Sequence, residues 1–272
     1  MLDTETLFHL KLFDILFHLK MIPKIIHYCW FGRGEMPPLA KKCIKSWKKY
    51  CPDYEIKEWN EDNFDLDMYP YAREAYDNRK FAFVTDVVRL YAIYTEGGIY
   101  MDTDVEVLKP LDPFLKHIAF SGYENDTLVP TGIMASEKGA KWAKDNLDYY
   151  NGRHFVKEDG SFDITTNVIT ITNYMLQFGL RQDNTYQDFP GLCTMYPKDY
   201  FCPKSYHDLK IYKTKNTVTI HHFAASWHTK EENKKHRRQV FWKNHPYLHR
   251  IYRWCYLKPR HAAARIYHIF VK

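Results

Sequence analysis

The chain lacks any Cys-x-x-Cys pair: its six cysteines stand at 29, 43, 51, 193, 202 and 255, and the one close spacing, Cys43 with Cys51, fits no common zinc pattern. They read as the reduced thiols of a cytosolic protein. No stretch approaches the roughly 18 uninterrupted apolar residues that a membrane-spanning helix needs, so the sequence is not expected to cross a bilayer. Asp3 and Glu5 stand where a secretory signal would be basic. The expected location is therefore cytoplasmic, either free or peripheral on the inner face of the membrane. Residues 118–228 hold no repeat and no low-complexity tract. No recognised nucleic-acid motif accompanies the basic residues, which removes nucleic acid from the expected partners.

What is present is a chain of 272 residues, 45% hydrophobic and 26% charged, long enough to bury a full core. Aromatics make up 17%, a share that suits sugar- or base-stacking surfaces and equally an ordinary aromatic core. The net charge of +6 is uneven: residues 229–272 hold 12 Lys/Arg against 2 Glu, a net of +10, which leaves −4 for residues 1–228.

Three segments follow from the pattern. Residues 1–20 repeat LFHLK and form a short amphipathic helix, either a membrane-surface anchor, a packing helix or an upstream extension of a domain beginning at Met21. Residues 21–228 alternate strand and helix patterns. IPKIIHYCWF predicts a buried first strand, LAKKCIKSWKKY a helix with Leu39, Cys43, Ile44 and Trp47 inward, and YEIKEW a short strand. This order implies an α/β sheet. Residues 229–272 form a basic, aromatic, helical tail, either packed on the body or lying on anionic lipid.

The chemistry concentrates in GGIYMDTDVEVL. As one strand over Ile99–Leu108, period-two geometry puts Met101, Thr103, Val105 and Val107 on one face and Tyr100, Asp102, Asp104 and Glu106 on the other. Carboxylates cannot be buried unpaired without a penalty of several kcal/mol, so the acidic row calls for a cation or a solvent-facing edge. Oxygen ligands of this kind suit Mg²⁺ or Mn²⁺, whose shells substrate phosphates commonly complete. Chance also produces D-x-D in surface strands, so the surroundings matter.

Upstream, a helix is predicted over Thr85–Glu96, with Thr85 as N-cap and Gly97-Gly98 as its stop. Asp86 and Arg89, at i and i+3, share one face away from the buried stripe. They can contact a sugar and a diphosphate, or form an ordinary surface ion pair. Downstream, TVTIHHFAASW reads as a strand delivering His221 and His222 to its end, followed by Ser226 and Trp227; the pair can complete a metal shell or simply form a polar edge. Trp30, in HYCWFG, ends the first strand as a ledge for a base. All these segments terminate at the carboxyl ends of strands, where ligands gather in open α/β sheets.

With IPKIIHYCWFG, FVTDVVRLYAIYTEGGIYMDTDVEVLKPLD and HHFAASW in this order, the sequence resembles glycosyltransferase family 32, the DXD-containing sugar transferases of bacterial surface polysaccharides and of fungal mannosylation. The resemblance implies a GT-A-type fold with a mixed, mostly parallel sheet flanked by helices. It implies Mn²⁺ or Mg²⁺ held against a nucleotide-sugar donor, UDP-sugars being favoured, and retention of anomeric configuration. Carried over, Asp104 is the direct metal ligand and Asp102 contacts donor and metal. Asp86 and Arg89 contact the donor sugar, with Arg89 also stabilising the leaving diphosphate. Trp30 stacks on the base, Ser226 and Trp227 close over the diphosphate, and one of His221 and His222 joins the metal or phosphate shell. The implied acceptor is a polysaccharide or lipid-linked oligosaccharide.

Two other readings stay open: a non-catalytic carbohydrate- or lipid-binding protein with a vestigial site, and a toxin-like transferase that modifies a protein. The intact set Asp86, Arg89, Asp102 and Asp104 speaks against decay, and no delivery module accompanies the chain. Donor selectivity is expected within residues 123–205, where Asn125, Asp126, Thr165, Thr166 and Asn167 are candidates.

Overall fold

The computed structural model describes residues 21–224 and 230–253. Residues 1–20, Ser226 and Trp227 lie outside that set, and with them the amphipathic N-terminal segment and the closing-loop pair. The described residues divide into two compact units, one of residues 21–204 and 212–224, the other of residues 205–211 and 230–253.

The first unit runs β1 (Ile25–Cys29), α1 (Pro38–Tyr50), β2 (Glu55–Trp59), α2 (Pro70–Asp77), α3 (Phe81–Thr95), β3 (Gly98–Met101), β4 (Val105–Val107), β5 (Ala119–Gly122), β6 (Ile133–Ser136), α4 (Lys141–Asp148), α5 (Asn167–Leu176), β7 (Gln187–Phe189), β8 (Cys193–Tyr196), α6 (Lys198–Phe201) and β9 (Thr219–His221). Among the described residues seven strands form one sheet in the order β2-β1-β3-β6-β5-β8-β7, and β4 and β9 pair as a second, two-stranded sheet. The sheet is mixed and flanked by helices, as expected. The pairings β1–β2, β1–β3 and β5–β8 are parallel, and the other three are antiparallel.

Strand alternation splits the core into two clusters. Ile26 and Tyr28 of β1 and Ile99 and Met101 of β3 pack with Trp47 of α1, Phe120 and Phe201. Cys29 and Tyr100 turn the other way and meet Val84, Val87 and Val88 of α3. Every residue of β3 is buried, as a strand covered by helices on both faces requires. Trp47 is fully buried, and its Nε1 donates to Val105 O at 2.7 Å, which ties α1 to β4.

Two expectations need correction. The helix expected from Thr85 begins four residues earlier, at Phe81, and Thr85 is no cap: its hydroxyl donates back to Phe81 O at 2.9 Å. FAFV continues the apolar surface toward the N-terminus, so packing rather than a capping side chain sets the start. Gly97 ends the helix as expected, in the left-handed region at φ +72°.

The second correction concerns the acidic strand. Ile99–Leu108 is not one strand, because the chain turns between β3 and β4. Asp102 N donates to Gly132 O and Val105 N donates back to Asp102 O, both at 2.9 Å. β4 then leaves the main sheet to pair antiparallel with β9, Val105 opposite His221. The period-two face of four polar residues therefore does not exist. Glu106 departs to Lys42 (3.0 Å) and His222 (2.8 Å), while Asp102 and Asp104 stay together at the turn.

Candidate active site

The turn after β3 brings three ligand-bearing side chains together. One atom from each of Asp102, Asp104 and His221 lies within 4.8 Å of the other two. His221 Nε2 stands 3.3 Å from Asp104 Oδ1 and 3.8 Å from Asp102 Oδ2. Asp104 is fixed from behind, since Ala224 N donates to its Oδ2 at 2.6 Å and His222 N donates to its carbonyl at 3.0 Å. Burial pushes the Asp104 carboxyl up, but His221 and the Ala224 N–H outweigh it and hold the group down at about 2. Burial likewise disfavours the charged His221, and the Asp104 charge overrides it, so the imidazole is pushed well up.

His221 Nδ1 is buried with no hydrogen-bond partner among the described residues. The ring is wedged against Gly132, where an added Cβ would lie 2.7 Å from that nitrogen. An imidazole so placed can present Nε2 to a cation with the proton on Nδ1. The two carboxylates suit Mg²⁺ or Mn²⁺, and the imidazole nitrogen favours Mn²⁺ of the two, since Mg²⁺ takes oxygen ligands.

Behind the turn lies the Asp–Arg pair. Asp86 and Arg89 are 6% and 5% exposed, so the surface ion pair that spacing allowed is in fact a buried one. Arg89 Nη2 stands 3.4 Å from both Asp86 Oδ1 and Asp102 Oδ1, Nη1 donates to Thr131 O at 2.8 Å, and Nε donates to Thr85 O at 3.2 Å. Its guanidinium lies 4.8 Å from the centre of the Tyr100 ring, whose hydroxyl donates to Asp102 Oδ1 at 2.8 Å. Arg89 thus spans the two aspartates. Burial pushes the Asp86 carboxyl up to about 6, against the pull of Arg89.

The other expected residues divide. Asn167, a candidate for donor selectivity, is buried against Asp86: its N–H donates to Asp86 Oδ2 at 3.2 Å and its Nδ2 to Asp86 O at 2.7 Å. His222 is not brought to the Asp102–Asp104–His221 cluster, since its Nε2 pairs with Glu106. Trp30 follows β1, parallel neighbour of β3, and so lies at the same sheet edge, with Nε1 donating to Gly34 O at 2.7 Å. Asn125 caps its own turn by accepting from Thr127 N and Leu128 N at 2.9 Å, and Asp126 pairs with Lys198 at 2.5 Å. Thr165 N donates to Asp163 Oδ1, and Thr166 precedes α5 without a side-chain cap.

Sequence reasoning missed Glu124 and Lys204. Glu124 follows β5, beside the start of β6 and hence the end of β3; burial pushes its carboxyl up, and it feels the charges of His221 and Asp102. Lys204 Nζ donates to His222 O at 2.5 Å and feels the Asp104 charge. No motif marks either residue, because only the fold carries β5 and the segment before β9 to this edge.

Residues 37–121 match the family model described as a glycosyltransferase sugar-binding region containing a DXD motif. The resemblance read from the sequence is borne out. The chain is 34% identical over 122 residues to inositol phosphoceramide mannosyltransferase 3 of Schizosaccharomyces pombe, a stretch covering 43% of this chain and 34% of that protein. It is 27% identical over 121 residues to a mannosyl phosphorylinositol ceramide synthase of Saccharomyces cerevisiae, covering 43% and 31%. An uncharacterized glycosyltransferase of Acanthamoeba polyphaga mimivirus is 27% identical over 157 residues, covering 55% and 62%. The chain spans about a third of the length of the two fungal relatives. Among solved structures it is similar to a glycosyltransferase involved in glycosylation of the PBCV-1 major capsid (16% identity, 79% and 100% of the two chains, TM-score 0.44). A galactosyltransferase in complex with donor and acceptor sugar analogues is similar at 14% identity, 79% and 94% coverage and TM-score 0.39.

Proposed function

We propose that the chain is a GT-A-type glycosyltransferase that moves a sugar from a nucleoside-diphosphate donor to a polysaccharide or lipid-linked oligosaccharide acceptor, with retention at the anomeric carbon. The observation that carries this reading is the convergence of Asp102, Asp104 and His221 beside the buried Asp86–Arg89 pair, in a chain whose residues 37–121 match a DXD sugar-binding region. UDP-sugars are the first donors to try. Because the fungal relatives are named for mannosyl transfer, nucleotide-activated mannose belongs beside them.

Asp102, Asp104 and His221 would hold the divalent cation, which when bound supplies electrostatic stabilisation to a departing diphosphate. Arg89 holds Asp102 in place through its shared guanidinium and adds a fixed positive charge behind the turn. Asp86 and Asn167 in turn hold Arg89. Lys204, beside Asp104, offers a second cation to phosphate oxygens. Glu124, which feels the charges of His221 and Asp102, would orient a sugar or acceptor hydroxyl. In this reading the acceptor hydroxyl attacks on the face that the diphosphate leaves, so no covalent sugar–protein intermediate forms.

The test is thermal unfolding of the full chain with a panel of nucleoside diphosphates and nucleotide sugars, with and without Mn²⁺, since a ligand at 100 times its Kd stabilises the folded state by about 2.7 kcal/mol. A metal-dependent shift with one base, lost in Asp104→Ala together with donor turnover, is the expected result. Turnover unchanged in Asp104→Ala would end the metal assignment. Metal-independent sugar binding without turnover would favour the binding-protein reading.

A further inference from the structure

The second unit carries α7 (Lys230–Asn244) and α8 (Pro246–Tyr252). Trp242, near the end of α7, stacks on His249 and Tyr252 of α8 at centroid distances of 5.1 and 4.9 Å, and Phe241 stacks on His245 at 4.5 Å. Asn244 Nδ2 donates to Asp208 O at 2.9 Å, which fastens the bend to the segment 205–211. The bend is thus held by aromatic packing.

Two features of this element point the same way. Helical spacing puts Tyr247, Leu248 and Ile251 on one side of α8, where they are 75%, 46% and 43% exposed. Arg250 and Arg253, also exposed, flank that side along the edge nearer Tyr247. On α7, Lys234, Lys235, Arg237, Arg238 and Lys243 are all exposed, and residues 230–253 carry eight Lys/Arg against two Glu, a net of +6. An aliphatic and aromatic face edged by arginines and backed by a basic helix matches an interfacial helix on lipid.

We propose that α7 and α8 form a binding surface for an anionic lipid bilayer, with α8 in the interfacial plane, Tyr247, Leu248 and Ile251 toward the acyl chains, and the basic side chains against lipid phosphates. A nucleic-acid backbone would satisfy the charge but leave the apolar face in water. A second copy of the chain would cover the apolar face but bring two surfaces of +6 together. A bilayer of anionic lipid answers both. The inference needs neither donor nor cation, so it stands or falls apart from the transferase reading.

The experiment is co-flotation of the full chain with vesicles of phosphatidylcholine alone and of phosphatidylcholine mixed with phosphatidylglycerol, at low and high salt. The expected result is binding to the mixed vesicles, weakened by salt and reduced about tenfold or more both in Tyr247→Ser/Leu248→Ser/Ile251→Ser and in Arg237→Glu/Arg238→Glu. The charge variant alters exposed positions alone, so it remains informative if the serine variant fails to fold. Donor turnover, measured in parallel, is expected to be unchanged in both. Equal binding to neutral and anionic vesicles, no binding to either, or wild-type binding by both variants would overturn the proposal. So would a serine variant that sediments as a monomer where the wild type is a dimer, because the face would then belong to a second copy.

Discussion

Replacing Asp86 by Asn is expected to stabilise the protein at neutral pH while weakening its chemistry. The Asp86 side chain is 9% exposed, and burial lifts its carboxyl from 3.8 to about 6 even with Arg89 beside it. The sign follows from proton counting. Around pH 5 the folded state binds the proton and the unfolded chain does not, so stability falls as pH rises from about 4 to about 6 and the penalty is complete above that. Two pKa units correspond to about 3 kcal/mol at pH 7. Asn keeps an oxygen for the Asn167 N–H, and Arg89 keeps Asp102, Thr85 and Thr131. Asp86→Asn should therefore gain about 1–3 kcal/mol in urea unfolding near pH 7 and about nothing near pH 4. Donor turnover should fall about 100-fold, because losing the Asp86 charge lets the guanidinium shift by about an ångström while still bonded, which mispositions Asp102. A variant destabilised by more than about 1 kcal/mol at pH 7 would show that the Asp86 charge is a net stabiliser and refute the reasoning.

Three further substitutions test neighbouring links. Gly132→Ala should push the His221 ring aside and lower Mn²⁺ affinity about 10- to 100-fold by calorimetric titration, since the added Cβ meets Nδ1 at 2.7 Å; unchanged affinity would remove His221 from the cation site. Tyr100→Phe keeps the ring over Arg89 but loses the donor to Asp102, and should lower unfolding stability by about 1 kcal/mol and turnover by more; equal turnover would make that hydroxyl structural. Trp47→Phe loses the hydrogen bond to Val105 and leaves a void in the α1–β4 packing, for about 2–4 kcal/mol by urea unfolding. A loss below about half a kcal/mol would mean that α1 does not hold β4 in place.

The sequence by itself determined the elements whose signals are local. IIHYC and GIYM are short, rich in β-branched and aromatic residues and close to Pro or Gly, EIKEW alternates apolar and charged residues, and each is a strand; PLAKKCIKSWKKY repeats its apolar residues at helical spacing, and it is a helix. The order of these segments was enough for the α/β class, and the D-x-D spacing enough to nominate a cation site. What failed were statements about continuity and exposure. Period two carries through the residues between Met101 and Val105, yet those residues turn, because β4 finds its hydrogen-bond partner in β9, more than a hundred residues away. No local pattern encodes that choice.

Tertiary structure alone decided which side chains share the site. Spacing placed Asp86 and Arg89 on one helix face but left open whether that face met water; packing α3 against the sheet buried it under Asp102 and α5. The two histidines are adjacent in sequence, and strand geometry sends them opposite ways, His221 to the aspartates and His222 to Glu106. Glu124 and Lys204 carry no motif and reach the same edge only because β5 runs beside β6 and the chain before β9 returns to it. A sequence fixes what each residue can do through its chemistry and short-range geometry. Which residues do it together depends on long-range strand pairing, whose energy is spread over the whole sheet and leaves no mark at the positions it joins.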